Sequence, residues 1–296
     1  MLEIMTIGDF MALPVPQREE IQKALRVRDR LDKWLDGLNT RRPTSLQAEW
    51  RRCRSCDPEH PGWLLWQPRN DSDIHPSQIH KCAKKLWYDC AGCSSQMEDN
   101  IEPRLRRIFD LGHAWHHTVQ GYGRAGAWGE KEHYHDEVEI DPGTPDIPNP
   151  ALPTAARLWI RGSVDAVIDR YILPDVPTLG DVAVRMVHEY KTINSAAYSN
   201  LKRPKPEHKW QAMIYSGVFD IPLVCFLYLN KDTAAQIDYP VPFDPALWQK
   251  IEEKVGTVQY YIGRDEMPPW ELTSAVLNSY ECKDCAYKKI CNPPRR

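Results

Sequence analysis

Long apolar runs are missing from this 296-residue sequence: no stretch approaches the ~20 consecutive apolar residues that span a bilayer. A membrane-embedded protein is therefore not expected. Met1 to Pro14 lacks the basic n-region and apolar h-region of a secretory signal. A cytoplasmic, reducing setting follows as the expectation. Charge of one sign is also lacking, the formal net charge being −3. That balance excludes a global electrostatic argument for a polyanionic partner, so any such contact must use local patches. Internal repeats and low-complexity tracts are absent, which removes solenoids and long disordered arms. What is present is ordinary for a packed soluble protein: 42% hydrophobic and 27% charged residues, enough for one large domain or two modest ones.

Periodicity places the elements. Ile21, Ala24, Leu31, Trp34 and Leu38 step by three, four or seven and predict one amphipathic helix over residues 17–38. Residues 43–70 read as an irregular Pro- and Trp-containing lobe. A helix is predicted from Ser77 to about Asp89, and a stronger one through Ile101, Leu105, Ile108, Trp115 and Val119. Within the latter, Gly112 lies one turn before His116. Gly inside a helix costs roughly 1 kcal/mol relative to Ala, so a close approach to a neighbouring sheet is its expected reason, carrying His116 inward. Residues 141–153 are Pro-rich and predict a loop; strands follow near 158–171 and 182–192, with a hairpin-like link between. Pro206 to Phe219 predicts a helix with Gln211 and Tyr215 on one face, Leu223 to Leu229 a buried strand, and Pro245 to Ile262 a last helix.

The chemistry concentrates in Val187-His188-Glu189-Tyr190-Lys191. A strand alternates its faces, so Glu189 and Lys191 point the same way. Asp165, in Gly162-Ser163-Val164-Asp165 and 24 residues earlier, can reach the same spot from a neighbouring strand. Asp165 and Glu189 offer hard oxygen ligands suited to Mg²⁺ or Mn²⁺, and His116 adds a nitrogen that favours Mn²⁺. Lys191 beside a metal-activated water could orient it, help deprotonate it or hold a phosphate oxygen. Taken alone, a Glu-x-Lys pair is more often a surface ion pair. His113 and His117 compete with His116, which is preferred for its four-residue offset from Gly112.

Gly112-x-x-x-His116, Gly162-Ser163-Val164-Asp165, Glu189-Tyr190-Lys191 and Gln211-x-x-x-Tyr215, in that order, resemble the motifs of PD-(D/E)xK nucleases. The likeness is to the RecB-type branch, including the four-cysteine nucleases of CRISPR adaptation and AddB-type nuclease domains, and covers about residues 76–292. It implies an α/β restriction-endonuclease-like core, a central mixed sheet of four or five strands flanked by helices. The expected organisation is a helical, zinc-bearing N-terminal lobe over residues 1–75 and a nuclease core with a cysteine-bearing C-terminal segment over residues 76–296. The implied activity is metal-dependent hydrolysis of DNA, as an exonuclease on single strands or ends, in recombination, repair or phage DNA processing with a recombination or helicase partner. An endonuclease with the same chemistry, or an inactive DNA-binding or scaffold module, is the alternative. The resemblance also implies the Tyr190 carbonyl as a further metal ligand, and Gln211 and Tyr215 as groups that position the DNA strand or Lys191. Local basic patches available to DNA are Arg104, Arg106 and Arg107; Lys202, Arg203, Lys205 and Lys209; and Arg295 with Arg296.

Nine cysteines remain. Cys225 sits in an apolar run and is expected to be a buried small hydrophobe. Without a secretory signal, the clustered cysteines favour metal ligation over disulfides. Cys282, Cys285 and Cys291 are three thiols within ten residues, and a closed site needs a fourth. In the families resembled, one cysteine before the core joins three after it around a 4Fe–4S cluster, which implies Cys82 here; zinc in the same thiols is the alternative. Such a staple would close a loop around the whole core. Cys53, Cys56, Cys90 and Cys93 form two Cys-x-x-Cys pairs and suggest a separate zinc site. The rival reading is that Cys90 or Cys93, in place of Cys82, completes the cluster.

Overall fold

The computed structural model describes residues 3–25, 27–38, 73–93, 103–143, 152–269, 285 and 287–291. Cys53, Cys56, Cys282, the segment 43–70, the side chains of Arg104 and Arg106, and the Arg295–Arg296 tail lie outside the described residues.

One mixed sheet organises the molecule. Its strands are β1 (Ile4–Met5), β2 (Tyr134–Ile140), β3 (Gly162–Val176), β4 (Gly180–Ile193), β5 (Leu223–Asn230) and β6 (Gln236–Pro242). The spatial order is β2-β3-β4-β5-β6, with the short β1 alongside β4. β4 and β5 are parallel, with Glu189 beside Phe226 and Lys191 beside Tyr228. The β2–β3, β3–β4 and β5–β6 pairs are antiparallel. All eight residues of β5 are buried, as its unbroken apolar run requires of a central strand. The five-strand path matches the four or five expected strands, and the short β1 beside β4 is the sixth. β2 mixes charged with apolar residues, and β6 carries Pro240 and Pro242, which cannot donate to a ladder and suit an edge.

Helices cover both faces. On one lie α4 (Ala83–Cys90), α6 (Pro153–Leu158), α8 (Pro206–Phe219) and α9 (Pro245–Gly263). Their Leu86, Leu158, Ile214 and Ile251 pack with Val167, Val187 and Phe226 of the sheet. On the other lie α1 (Ile7–Ala12), α2 (Val15–Ala24), α3 (Val27–Leu38) and α5 (Pro103–Arg124). Phe10, Ile21, Leu31 and Val119 there pack with Ile168, Tyr171 and Met186. The N-terminal segment thus adds both a strand and a helical layer to the core of the sheet. Two short helices, α7 (Ser195–Ser199) and α10 (Lys288–Cys291), complete the elements. No described helix is long and apolar enough to cross a membrane.

Several boundaries depart from the sequence reading. The helix expected over 17–38 is two helices. Leu25 turns extended, and the backbone N–H groups of Val27 and Arg28 donate to Asp238 Oδ2 of β6 at 3.0 and 3.5 Å. A carboxylate from the far edge of the sheet caps α3, where orphan N–H groups favour negative charge. The helix predicted from Ser77 is a 3₁₀ turn, Pro76–Gln78, followed by α4, which Cys82 N-caps by accepting from the Lys85 N–H at 3.4 Å. The expected loop at 141–153 ends at Pro153, which begins α6.

Candidate active site

The catalytic candidates meet where β3 and β4 part. Among the paired positions, the β3–β4 ladder reaches Ala166↔His188 at this end, and one step further Asp165 falls opposite Glu189. The Asp165 side chain bridges the parted strands by accepting the Tyr190 N–H on Oδ2 at 2.6 Å. Its Oδ1 lies 3.1 Å from His116 Nδ1. His116 is brought in by α5, as the glycine one turn earlier foreshadows: a Cβ on Gly112 would stand 3.3 Å from Thr192 Oγ1 on β4. His116 also sets its ring edge-on to Tyr190, with centroids 5.9 Å apart.

From the other helical layer, α8 delivers Gln211 and Tyr215. Gln211 Nε2 is 2.8 Å from Glu189 Oε1 and 2.5 Å from the Tyr215 hydroxyl, which donates to the Ser163 carbonyl at 3.4 Å. Lys191 Nζ donates to the same Glu189 Oε1 at 2.5 Å. The sequence reading sets the polar groups on one face of the sheet. The structure instead brings them to its end from both layers, α5 packing with one core and α8 with the other. A cavity of about 690 Å³ opens there, walled in part by His113, His116, Ser163, Glu189, Lys191, Gln211 and Tyr215.

Glu189 is the least satisfied member. It is 4% exposed, Oε1 accepts two hydrogen bonds, and Oε2 is buried with no partner. A buried acceptor left unpaired costs about 1–3 kcal/mol. Burial, then the charge of Asp165, pushes the Glu189 carboxyl from 4.5 up to about 7, against the pull of Lys191 and His116. Asp165 goes the other way. Burial raises it, but the charge and hydrogen bond of His116, then Lys191 and the Tyr190 N–H, outweigh burial and hold it below its ordinary value. Burial lowers His116 and Lys191, yet the carboxylates win in both cases and their pKa values rise. Two neighbouring carboxylates pushed apart in this way are typical of a chemical site.

As the side chains stand, no three His, Cys, Asp or Glu among the described residues converge on one ion position. Lys191 occupies Glu189 Oε1, while His116 and the Tyr190 N–H occupy the two oxygens of Asp165. The donor set itself, two carboxylates and an imidazole with one orphaned carboxylate oxygen, suits a hard divalent cation.

No family model and no curated protein matches the sequence. Similar solved structures include SSO0001, at 18% identity and a TM-score of 0.43, over 83% of this chain and 93% of that one. Another is an alkaline exonuclease from Laribacter hongkongensis, at 12% identity and a TM-score of 0.37, over 72% of this chain and 95% of that one. The same exonuclease in complex with dAMP aligns with a TM-score of 0.38.

Two nearby side chains, Gln120 and Glu137, had no motif to announce them; Gln120 carries a sequence signal only in its offset of four from His116 on the same helix. Of the competing histidines, His113 lines the cavity, and His117 is lowered by burial and by His113 and His116.

The described cysteines divide by surroundings. Cys225 is fully buried in β5, as expected. Burial, then Cys291, Cys93 and Cys285, pushes the Tyr88 hydroxyl up to about 12, and Tyr88 stacks on Tyr287 at 4.8 Å between centroids. The described C-terminal residues, 285 and 287–291, are therefore docked on α4, where the Tyr287 hydroxyl also donates to Asp89 at 2.7 Å. Cys90 has different charged surroundings, Asp89, Asp73 and Lys85, and burial pushes its thiol up to about 12.

Proposed function

We propose that this chain is a metal-dependent nuclease that hydrolyses phosphodiester bonds of DNA, acting on single strands or ends. The observation that carries the reading is the buried, unpartnered Glu189 Oε2 at the wall of a cavity, with Lys191 on its sister oxygen and Asp165 opposite. Lys191 and Gln211 both engage Oε1, and a cation between Asp165 and Glu189 would satisfy Oε2. Asp165, Glu189, His116 and the Tyr190 carbonyl are the groups assigned to hold Mg²⁺ or Mn²⁺. When bound, the cation lowers the pKa of a water and stabilises charge on the phosphate.

The chain's own groups do the rest. Lys191, beside Glu189 in the cavity wall, would orient the water or a non-bridging phosphate oxygen. Gln211 holds Glu189 to α8 and joins it to Tyr215, which reaches back to β3 through Ser163. Exposed Lys202, Arg203 and Lys209 lie just before and within the first turns of α8, where they can meet phosphates on either side of the break.

For the C-terminal thiols we assign a 4Fe–4S cluster held by Cys82, Cys282, Cys285 and Cys291. The docking of Cys285 and Cys291 against α4, whose N-cap is Cys82, supports it. Cys93 acts on the same Tyr88 hydroxyl and is the competing fourth thiol, which leaves a separate zinc site with Cys53, Cys56 and Cys90 as the weaker assignment. An anaerobic preparation that is colourless and contains only zinc would sink the cluster. Cys82→Ser and Cys93→Ser compared by visible absorption identify the fourth ligand.

The decisive experiment is degradation of end-labelled linear and circular single-stranded DNA with Mn²⁺. Loss of linear substrate alone establishes the exonuclease, loss of both an endonuclease, and loss of neither an inactive module. If Lys191→Ala cleaves as fast as the parent, the catalytic assignment fails.

A further inference from the structure

Glu137 holds a backbone conformation that its place in the sheet does not explain. It lies between Asp136↔Ala166 and Val138↔Val164 in the β2–β3 register, opposite Asp165, yet its φ is 48°. A side chain other than glycine is strained in that left-handed region and persists there only where its surroundings impose it. From there its side chain meets Gln120, whose Nε2 donates to Glu137 Oε1 at 2.6 Å. The same nitrogen donates to the main-chain carbonyl of Asp165 at 3.0 Å. Gln120 is 1% exposed and lies one helical turn after His116, which touches the Asp165 carboxylate at 3.1 Å. Helix α5 therefore grips Asp165 twice: His116 at its carboxylate and Gln120 at its backbone. Glu137 braces Gln120 from the neighbouring strand.

We propose that Gln120 and Glu137 are positioning residues that fix the main chain of Asp165, and through it the aim of the Asp165 carboxylate; the inference rests on the nuclease reading for its effect on catalysis. The grip acts where the β3–β4 pairing gives out, so the ladder does not hold Asp165 against β4 there. The amide of Gln120 supplies a neutral donor to both oxygens at once. In this role Glu137 serves as a hydrogen-bond acceptor, and its charge is not required.

That last point separates the proposal from its rival, in which Glu137 itself ligates a second cation. Glu137→Gln keeps an acceptor for Gln120 and removes the charge; Glu137→Leu removes both; Gln120→Met removes the grip at similar volume. Mn²⁺ affinity by titration calorimetry, kcat and KM on single-stranded DNA, and thermal melting are measured for each. Partners behind a metal ligand contribute about 10–100-fold to affinity or rate. Gln120→Met and Glu137→Leu should each lose at least about tenfold in kcat and weaken Mn²⁺, with KM for DNA little changed. The double variant should be no worse than Gln120→Met alone, because the two act as one unit. Glu137→Gln should stay within about twofold of the parent. A loss in Glu137→Gln equal to that in Glu137→Leu overturns the proposal, as does full activity in Gln120→Met. A readout independent of metal guards against variants that fail to fold: hydrogen exchange of the Gln120 side-chain amide in the metal-free protein. Protection in the parent and in Glu137→Gln supports the grip, and rapid exchange in the parent overturns it. A parent that shows this protection but neither binds Mn²⁺ nor cleaves DNA would instead defeat the nuclease reading.

Discussion

Replacing Glu189 by Gln tests the electrostatics of the site without any substrate. Burial and the charge of Asp165 raise this carboxyl from 4.5 to about 7. A group whose folded pKa lies above its unfolded value binds more protons when folded between the two. Its contribution to stability is therefore present at low pH and is lost as pH rises from about 4.5 through about 7. At about 1.4 kcal/mol per pH unit the loss is about 3 kcal/mol, and with the side chain buried, solvent screening does little to reduce it. Asp165 carries the opposite sign: lowered from 3.8, its contribution is present above that value and is lost only as pH falls below it. Of these two carboxylates the window from 4.5 to 7 belongs to Glu189, and the difference between parent and variant removes the other groups that change there, Glu137 and His188 among them. The Glu189→Gln variant keeps an Oε1 acceptor for Lys191 and Gln211 and loses the charge. Unfolding free energies from urea titrations of the metal-free proteins should agree most closely near pH 4.5 and separate by about 3 kcal/mol, in the variant's favour, by about pH 8. Saturating Mn²⁺ should then reverse the order, because the cation stabilises only the protein that binds it. Parallel curves across the whole range would refute the reasoning: Glu189 would carry no unfavourable charge in the folded state and have no need of a cation.

Three further outcomes are expected. Lys191→Met should reduce DNA hydrolysis by about 100-fold or more without weakening Mn²⁺, since Lys191 competes with the cation for Glu189; unchanged hydrolysis contradicts this. His188 is fully buried with neither ring nitrogen partnered, and burial lowers it from 6.5 to about 3. The folded protein resists the proton that the unfolded chain accepts, so stability should fall as pH drops from about 6.5 toward 3, by about 5 kcal/mol in full, and His188→Phe should flatten that acid limb in denaturant titrations. A Cβ on Gly123 would lie 2.1 Å from the ring of Tyr134, so Gly123→Ala should cost about 1–3 kcal/mol by overpacking, seen as a lower melting temperature; an unchanged melting temperature would show that the ring has room to move.

The sequence by itself determined the elements whose signals are local. Helix α8 was legible to the residue because Pro206 starts it without needing its N–H and an apolar strand follows directly. The shared face of Glu189 and Lys191 follows from the period of a strand, and the inward turn of His116 from a glycine one turn earlier. What stayed hidden depends on partners far away in the chain. The break between α2 and α3 is made by Asp238, more than 200 residues on. The strands β2 and β6 are edges whose polar residues and prolines dilute any periodic signal. Glu137 and Gln120 belong to no motif and acquire a role only because β2 lies beside β3 and α5 crosses both. The tertiary structure alone decided that Asp165 lies below its ordinary pKa and Glu189 near 7, since both values arise from burial and from charges on other elements. It alone left one oxygen of Glu189 without a partner. Periodicity is a property of neighbours along the chain; electrostatics and satisfaction of polar groups are properties of neighbours in space.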